Sequence, residues 1–514
     1  MRIVRLQEQP STSSIATEIL NLSIVLSTKS RLSLAGFVLC LVLPVSAVAS
    51  PWAEVGDGQL RSDIEILAAA GVIDDITMQW PLPWAGVAQR LSSQSLADQP
   101  EYVRAAADRI KWMANNQTHI GQFRAAATID ATNSAAVVRG FDALGREDVQ
   151  GAISVEYVGS TTAVRLSVGA QTINHAGGTT LAFDNSYIAQ KVGGAIIYAG
   201  FLPHWWGPGW ISSLSLSNNA QPMPQIGIAR NSTEPFKTPL LSWLGPWQFE
   251  FFVGVLNGPR IARNTGYVGT RVAINPIPHL EIGFSRTTEL CGTGHPCVPF
   301  RDYLKSGAQT SASPNETNDE ASFDFKYSSL FEGLPYQIYM QIMNEDNGPF
   351  VQSASSHLFG ASAWISVGTE NPLRLTFEYT DSNATANFFS FGKIVHGVAY
   401  NNSSYVDGMR YRDRSLGFSL DGDSRLTTVQ GSWLDHNGWS YRLSYYRARV
   451  SDPLNNNTNV VTTAPVTINI GEVRWGVPFK NMRFELAGRL QDDQPRPDRG
   501  FQAAAELVVT YSFR

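Results

Sequence analysis

No uninterrupted apolar run of the ~18 or more residues that a membrane-crossing helix needs occurs in the body of this chain, which excludes a helical membrane protein. Cysteine is scarce, with three in 514 residues. Charge is sparse too: Asp, Glu, Lys and Arg make up 16%, and acidic groups outnumber basic ones 44 to 39. A chain without a basic excess is not built to hold nucleic acid. Signatures of catalysis are also missing, with no Gly-x-Ser-x-Gly elbow, His-Glu-x-x-His or phosphate loop. His204, His279, His295, His357, His396 and His436 stand singly. A general base needs partner groups converging on it, and none is legible, so neither an enzyme nor a cofactor is expected.

What the chain has instead is alternation. In Phe323-Asp324-Phe325-Lys326-Tyr327-Ser328 the rings take one side and the polar groups the other, and the pattern returns in Leu373 to Thr380 and Met482 to Leu490. Side chains that change sides at every residue belong to a β-strand. Many of these segments reach ~10 residues, the length that crosses a bilayer when tilted, whereas strands in soluble sandwiches usually run ~5 to 6. The expectation is an all-β transmembrane barrel of the outer-membrane kind, apolar outside and polar inside. Aromatic residues at 11% and 43 glycines suit one large barrel.

The one apolar stretch lies near the start and is short. Lys29 and Arg31 precede an apolar core from Leu32 to Leu43, and Ala47-Val48-Ala49 puts small residues where a signal peptidase reads. Residues 1–49 are therefore expected to be a cleaved secretory signal. The 28 residues ahead of Lys29 are long for such a signal, which puts the expected start downstream of Met1. Cys40 follows Phe37-Val38-Leu39 rather than the small residue of a lipoprotein signal, so no lipid anchor is expected. Cleavage would remove four basic and two acidic residues and leave 35 against 42. It would also leave only Cys291 and Cys297, in Cys291-Gly-Thr-Gly-His295-Pro-Cys297. In an oxidising compartment these are expected to form a loop-pinning disulfide, with a metal site including His295 as the lesser alternative.

Residues 50–120 read as a small helical unit. Apolar residues at helical spacing follow Asp57 and stop at Gly71. A second helix fits Ala85 to Leu91. A third fits Tyr102 to Met113, with Asp98 as N-cap and Glu101 three residues on. A unit this small holds little core of its own, so it is expected to pack into one mouth of the barrel that residues 121–514 form.

Twenty strand candidates can be counted, two of which, Ile211 to Asn218 and Arg414 to Gly422, break the alternation of long and short connections. With those two assigned to loops, about 18 antiparallel strands remain, an even number as single-chain barrels usually have. The short Pro-containing turns at Asn275 to Pro278, Glu332 to Pro335, Glu370 to Pro372 and Val477 to Lys480 then share one end, expected to face the periplasm. The long connections, 203–223 and 381–425 among them, share the other. Residues 501–514 read as a closing strand whose aromatic Phe513 is followed by Arg514.

Several passages resemble the Wzi family of capsule-assembly outer-membrane proteins. They are Leu60 to Ile64 through Gly71 to Ile73, Trp80-Pro-Leu-Pro-Trp84, Trp205-Trp-Gly-Pro-Gly-Trp210 with Leu216 to Ala220, Trp243-Leu-Gly-Pro-Trp247, and Tyr405 through Ser419 to Ser424. The resemblance implies an eighteen-stranded barrel plugged by an N-terminal helical bundle and acting as a non-catalytic lectin for capsular or other extracellular polysaccharide.

A lectin uses aromatic faces against the C–H faces of sugars and cationic or polar groups against carboxylates and hydroxyls. The candidates for polysaccharide contact are Trp205, Trp206 and Trp210 in one loop, and Tyr405, Arg410, Tyr411, Arg412 and Arg414 in another. Each cluster also has a plain structural reading, as a self-packed loop in the first case and an Arg–Asp network with Asp407, Asp413 and Asp421 in the second. Arg374, Arg442, Arg483 and Arg489, with Glu378, Glu485 and Glu506, are expected to face inward as a cross-lumen ion-pair lattice that holds the helical plug and narrows the channel, rather than line an open pore. The expected partners are polysaccharide and outer-membrane lipids, and the expected state is a monomer. The competing functions are a substrate-selective porin for oligosaccharides or anionic solutes, and an assembly partner of a polysaccharide exporter.

Overall fold

The computed structural model describes residues 51–513 apart from 174–177, 300, 304–316, 332, 346–352, 367–370, 388–389, 391–392, 452–457 and 496–498. The expected signal segment and the turn residues Glu332 and Glu370 lie outside the described residues.

Eighteen antiparallel strands close into one barrel. They are β1 (Phe123–Thr132), β2 (Val149–Val158), β3 (Thr162–Thr172), β4 (Tyr187–Val192), β5 (Ala195–Gly200) and β6 (Gln225–Arg230). There follow β7 (Trp247–Leu256), β8 (Thr265–Ile277), β9 (Leu280–Leu290), β10 (Thr317–Phe331), β11 (Leu334–Glu345) and β12 (Ala354–Ser366). The last six are β13 (Pro372–Thr385), β14 (Arg425–Leu434), β15 (Ser440–Val450), β16 (Val466–Phe479), β17 (Met482–Gln491) and β18 (Gln502–Phe513). Thr179–Ala182 adds a short ladder to β3 beside β4, and Ile394–Val395 adds another to β13. The seam joins β18 to β1 from Glu506↔Thr132 to Phe513↔Ala125.

The alternation read from the sequence is the division between wall and lumen. Leu443 is 65% exposed on the outer face of β15, while Ser444 beside it is buried. The strands carry their apolar side chains outward because a barrel wall that meets lipid gains by it, and closure leaves no unpaired edge. The turns between β8 and β9, β10 and β11, β12 and β13, and β16 and β17 fall at the end where the chain enters and leaves the barrel, here called the turn end. The two rejected strand candidates stay outside the wall. Residues 211–218 contribute one isolated bridge, Trp206↔Leu216, and Arg414–Ser415 pairs with Arg410–Tyr411 as a two-residue hairpin.

Among the described residues three α-helices precede the wall: α1 (Gly58–Ala69), α2 (Trp84–Ser93) and α3 (Glu101–Gln117). Asp57 caps α1 by accepting from Leu60 N at 2.9 Å, and Gly71, at φ 68°, turns the chain while Val72 N closes back onto Leu67 O. The cap expected at Asp98 does not form. Pro100 occupies the N-cap position of α3 and gives no side-chain hydrogen bond, so the helix begins at Glu101 and outruns Met113 by four residues. The unit is tied to the turn end by Tyr102 OH donating to Gly333 O at 2.7 Å and by Arg109 bridging Asp63 and Asn371, each at 2.8 Å. Trp364 of β12 donates to Ser62 of α1 at 2.8 Å.

Candidate functional site

The lumen is filled from both ends. From the turn end come α1 and the segment Thr77 to Trp80. From the loop end come parts of the connections 133–148, 201–224 and 386–424. They meet where Phe141 packs edge-on against Trp80 and Trp205, with ring centres 5.0 and 5.7 Å away.

The Trp205 to Trp210 loop is the junction. Trp205 and Trp206 pair with Trp80 and Gln79 in a short antiparallel ladder. Arg61 of α1, fully buried, donates to Pro208 O at 2.6 Å and Gly209 O at 2.9 Å. Its guanidinium also lies over Phe141 and Trp210, 4.7 and 4.4 Å from the ring centres. Arg374 of β13 covers Trp210 at 3.3 Å. The indole N–H of Trp210 donates to Glu65 at 3.0 Å. The glycines are needed here: Gly207 has φ 144°, and a Cβ on Gly209 would sit 2.2 Å from Ser212 O.

Glu378 of β13 fixes the same loop to the wall. Its buried carboxylate accepts from Trp210 N at 2.7 Å, Ile211 N at 3.2 Å and Tyr339 OH at 3.1 Å. A second clamp holds Thr77 and Met78. Glu281 of β9 accepts from Thr77 N at 2.9 Å and Met78 N at 3.0 Å, and Lys326 of β10 lies 3.1 Å from the same carboxylate. Beside them Arg271 pairs with Asp324 at 2.5 Å, both fully buried.

These contacts correct the expected cross-lumen lattice. Arg489 pairs with Glu506 on the neighbouring strand, and Arg483 with Glu485 two residues along its own strand at 2.8 Å. Arg442 binds Asp142 of a loop. Arg374 and Glu378 do not pair with each other: one covers an indole and the other receives backbone amides. Folded-in backbone occupies the lumen, so the charges do not reach across it: Arg483 and Arg489 pair along the wall, while Arg442, Arg374 and Glu378 meet the segments packed inside, as the plug-holding part of the expectation has it.

The three tryptophans offered as sugar platforms lie inside this packing, with Trp205 and Trp206 0% and Trp210 1% exposed. Trp205 packs on Phe141, Trp210 on Phe141, Arg61 and Arg374, and Trp206 on His204 and Phe252. In the other loop Tyr405 is also buried, stacked on His295 at 4.0 Å and donating to Cys291 O at 3.0 Å. Cys291 and Cys297 are joined by a disulfide. Arg410 is buried against Asp421 at 2.9 Å and Asn401 at 2.9 Å, and Tyr411 is buried with its hydroxyl on Asn257.

Arg412 and Arg414 remain partly open at the loop end. Arg412 donates to Gln221 at 2.7 Å, and Arg414 lies 3.2 Å from Glu147 and also meets the carbonyl of Arg146. Arg146 joins them, paired with Asp184. Burial, and after it the charge of Arg414, pulls the Arg146 guanidinium down to about 10, so it stays cationic at neutral pH. A cleft of about 100 Å³ adjoins this group, lined by Arg146, Gln150, Gln171, Asp184, Ser167 and Thr128 among others. Arg146 and Phe141 were missed by sequence reasoning. The available signal was the loss of alternation between 133 and 148 in a stretch holding two arginines and two glycines.

A family model described as capsule assembly protein Wzi matches residues 118–494. An uncharacterized 55.8 kDa protein in the cps region of Klebsiella pneumoniae is 25% identical over 406 residues, covering 77% of this chain and 78% of that protein. The solved structure of Wzi from Escherichia coli, an outer membrane protein involved in group 1 capsule assembly and described as a carbohydrate-binding β-barrel, superposes with a TM-score of 0.77. The match spans 91% of this chain and all of that one at 21% identity, a likeness of fold.

Proposed function

The chain belongs to the Wzi family of capsule assembly proteins, and from that membership we propose that it sits in the outer membrane of a Gram-negative cell, turn end to the periplasm, and holds an anionic extracellular polysaccharide at its loop end without chemistry. The observation that carries this reading is the partly open arginine group of Arg412, Arg414 and Arg146 beside a cleft at the loop end. Guanidinium groups fork onto carboxylates through two parallel hydrogen bonds, which suits a polymer of uronic acids. The buried members of the two loops, Trp205, Trp206, Trp210, Tyr405, Arg410 and Tyr411, support this surface from within.

The test is the double variant Arg412→Ala with Arg414→Ala in cells, with cell-bound and released polymer compared by uronic-acid assay. The cell-bound share should fall roughly tenfold, equivalent to ~1.4 kcal/mol, while total polymer stays constant. Unchanged retention would remove these arginines from the site.

The porin reading predicts something else. Barrels of 16 to 18 strands normally leave an aqueous channel, but here helices, loops and buried ion pairs occupy the lumen. In planar bilayers the purified protein should give no steady open-channel steps. A constant conductance would make the porin the better reading.

A further inference from the structure

Connections that join two strands at the turn end have two to five residues, with one exception. Sixteen residues, 231–246, lead from β6 to β7, where barrels of this kind usually have a short turn. The connection starts inward, against the helical unit. Thr233 donates to Asp74 at 2.7 Å, and Gln89 of α2 donates to Glu234 at 2.9 Å. It then crosses to the outside of the wall. Trp247 opens β7 on the outward column that continues through Phe249, Phe251, Val253 and Val255, while Gln248, Glu250 and Phe252 between them are buried inward. Phe236 stacks on that indole with ring centres 4.3 Å apart, and the Arg230 guanidinium covers it at 3.9 Å. Where the connection returns to β7, Gly245, at φ 64°, packs against Asn275 O of β8 with no room for a Cβ, and Asn275 N donates to Pro246 O at 2.8 Å.

Between these fixed ends the chain winds into one tight turn that includes the 3-10 segment Ser242–Leu244. Leu241 N and Ser242 N donate to Thr238 O, Leu244 N to Leu241 O and Gly245 N to Ser242 O, at 2.9 to 3.1 Å. The amides bond within the turn while its apolar side chains point away: Leu240 is 81%, Trp243 64% and Leu241 38% exposed. Apolar side chains scattered singly are ordinary on a surface, but three in four consecutive residues mark a contact face. A turn that bonds its own amides can also enter lipid, where unpaired backbone groups are costly. Resting on the outer-membrane placement proposed above, we infer that residues 236–246 are a foot inserted into the periplasmic leaflet beside β6, β7 and β8, with phospholipid as its partner. The occupant follows from continuity. Phe251, Phe249 and Trp247 pass the lipid-facing band directly to Phe236, and the turn prolongs that band sideways at the depth where tryptophan is enriched. Lys237, exposed beside Phe236, supplies a cation at the level of the headgroup phosphates, as interfacial lysines do.

The test uses the full-length protein in vesicles of phosphatidylethanolamine and phosphatidylglycerol, carrying one introduced cysteine labelled with an environment-sensitive fluorophore, with unsubstituted protein giving the background. Leu240→Cys probes the foot. Val429→Cys probes the outward face of β14 midway along the strand, and Ile261→Cys probes the loop end in water; the native side chains there are 54% and 74% exposed. Ser242→Cys is a second foot position that removes no apolar side chain, for use where Leu240→Cys folds poorly. Phospholipid brominated near the headgroup should quench the foot label, and iodide should quench it severalfold less than the label at Ile261. Iodide reaching the foot as freely as Ile261, with no quenching by brominated lipid, overturns the proposal. A foot label shielded from both quenchers overturns it too, and gives the turn to a protein partner. If the Val429 label also escapes brominated lipid, the membrane placement fails and the foot with it. If Val429 is quenched and the foot is not, the foot alone is wrong.

Discussion

Glu378→Ala should destabilise the folded barrel by about 3 to 5 kcal/mol, because orphaned buried amide donors cost ~1 to 3 kcal/mol each. The carboxylate is 1% exposed and receives the backbone N–H of both Trp210 and Ile211. Alanine offers those donors nothing, and Tyr339 OH loses an acceptor as well. Glu378→Gln keeps one acceptor oxygen and should lose about half as much. Thermal unfolding in detergent, followed by the shift in gel mobility that folded barrels show, separates the two variants. The Ala variant should also begin to conduct in planar bilayers, since the 201–224 loop then loses its carboxylate clamp and keeps only neutral hydrogen bonds to the wall, such as those of Gln341 with Trp206 O and Leu214 N, and the cover of Arg374. A melting point equal to that of the native protein would mean that the loop is held by its other contacts without the Glu378 carboxylate.

The second large effect is expected at the Glu281–Lys326 clamp. Glu281→Ala strips Thr77 N and Met78 N of their acceptor and leaves Lys326, 1% exposed on its side chain, without its carboxylate. Breaking a buried pair from one side costs about 3 to 5 kcal/mol. Removing the cation as well, in Glu281→Ala with Lys326→Met, should recover ~1 to 3 kcal/mol of that loss through the coupling between the two sites. Urea unfolding of the single and double variants measures the difference. Limited trypsin digestion should cut the loosened 51–120 unit in the single variant first. Strict additivity would show that the ammonium and carboxylate do not act as a pair.

The wall was legible because its physics is local. A two-residue period, a turn with Pro, and the 3.6-residue period of α1 and α3 need only neighbouring residues to be read. Even the two false strands could be set aside, because a barrel constrains its own count. The interior was not legible, since what Glu378, Glu281 and Arg374 touch depends on segments that arrive from 164 to 204 residues away. Alternation says that Glu378 faces inward but not that it meets amides instead of Arg374. The Trp205 to Trp210 loop was misplaced for the same reason. Tryptophans among glycines look alike in an exposed loop and in a folded-in one, and only the pairing of Trp205 and Trp206 with Trp80 and Gln79 distinguishes the two. At the candidate site the arginines 412 and 414 were visible as a cluster, but their third member, Arg146, came from a loop that carries no aromatic signal beyond Phe141.

The contact of Phe141 with Trp80 has a mechanical meaning. A cell coated in polymer is sheared by flow, and the drag on each chain is delivered to whatever grips it. Here the loops proposed to grip it are not free arms on a rim. Arg414 meets loop 133–148 at Glu147, that loop reaches Phe141, and Phe141 leans on Trp80 and on Arg61 of a helix at the far mouth. A load applied at Arg414 would therefore pass through packed rings and ion pairs to α1 and on, through Ser62 and Trp364, to the wall at the far end.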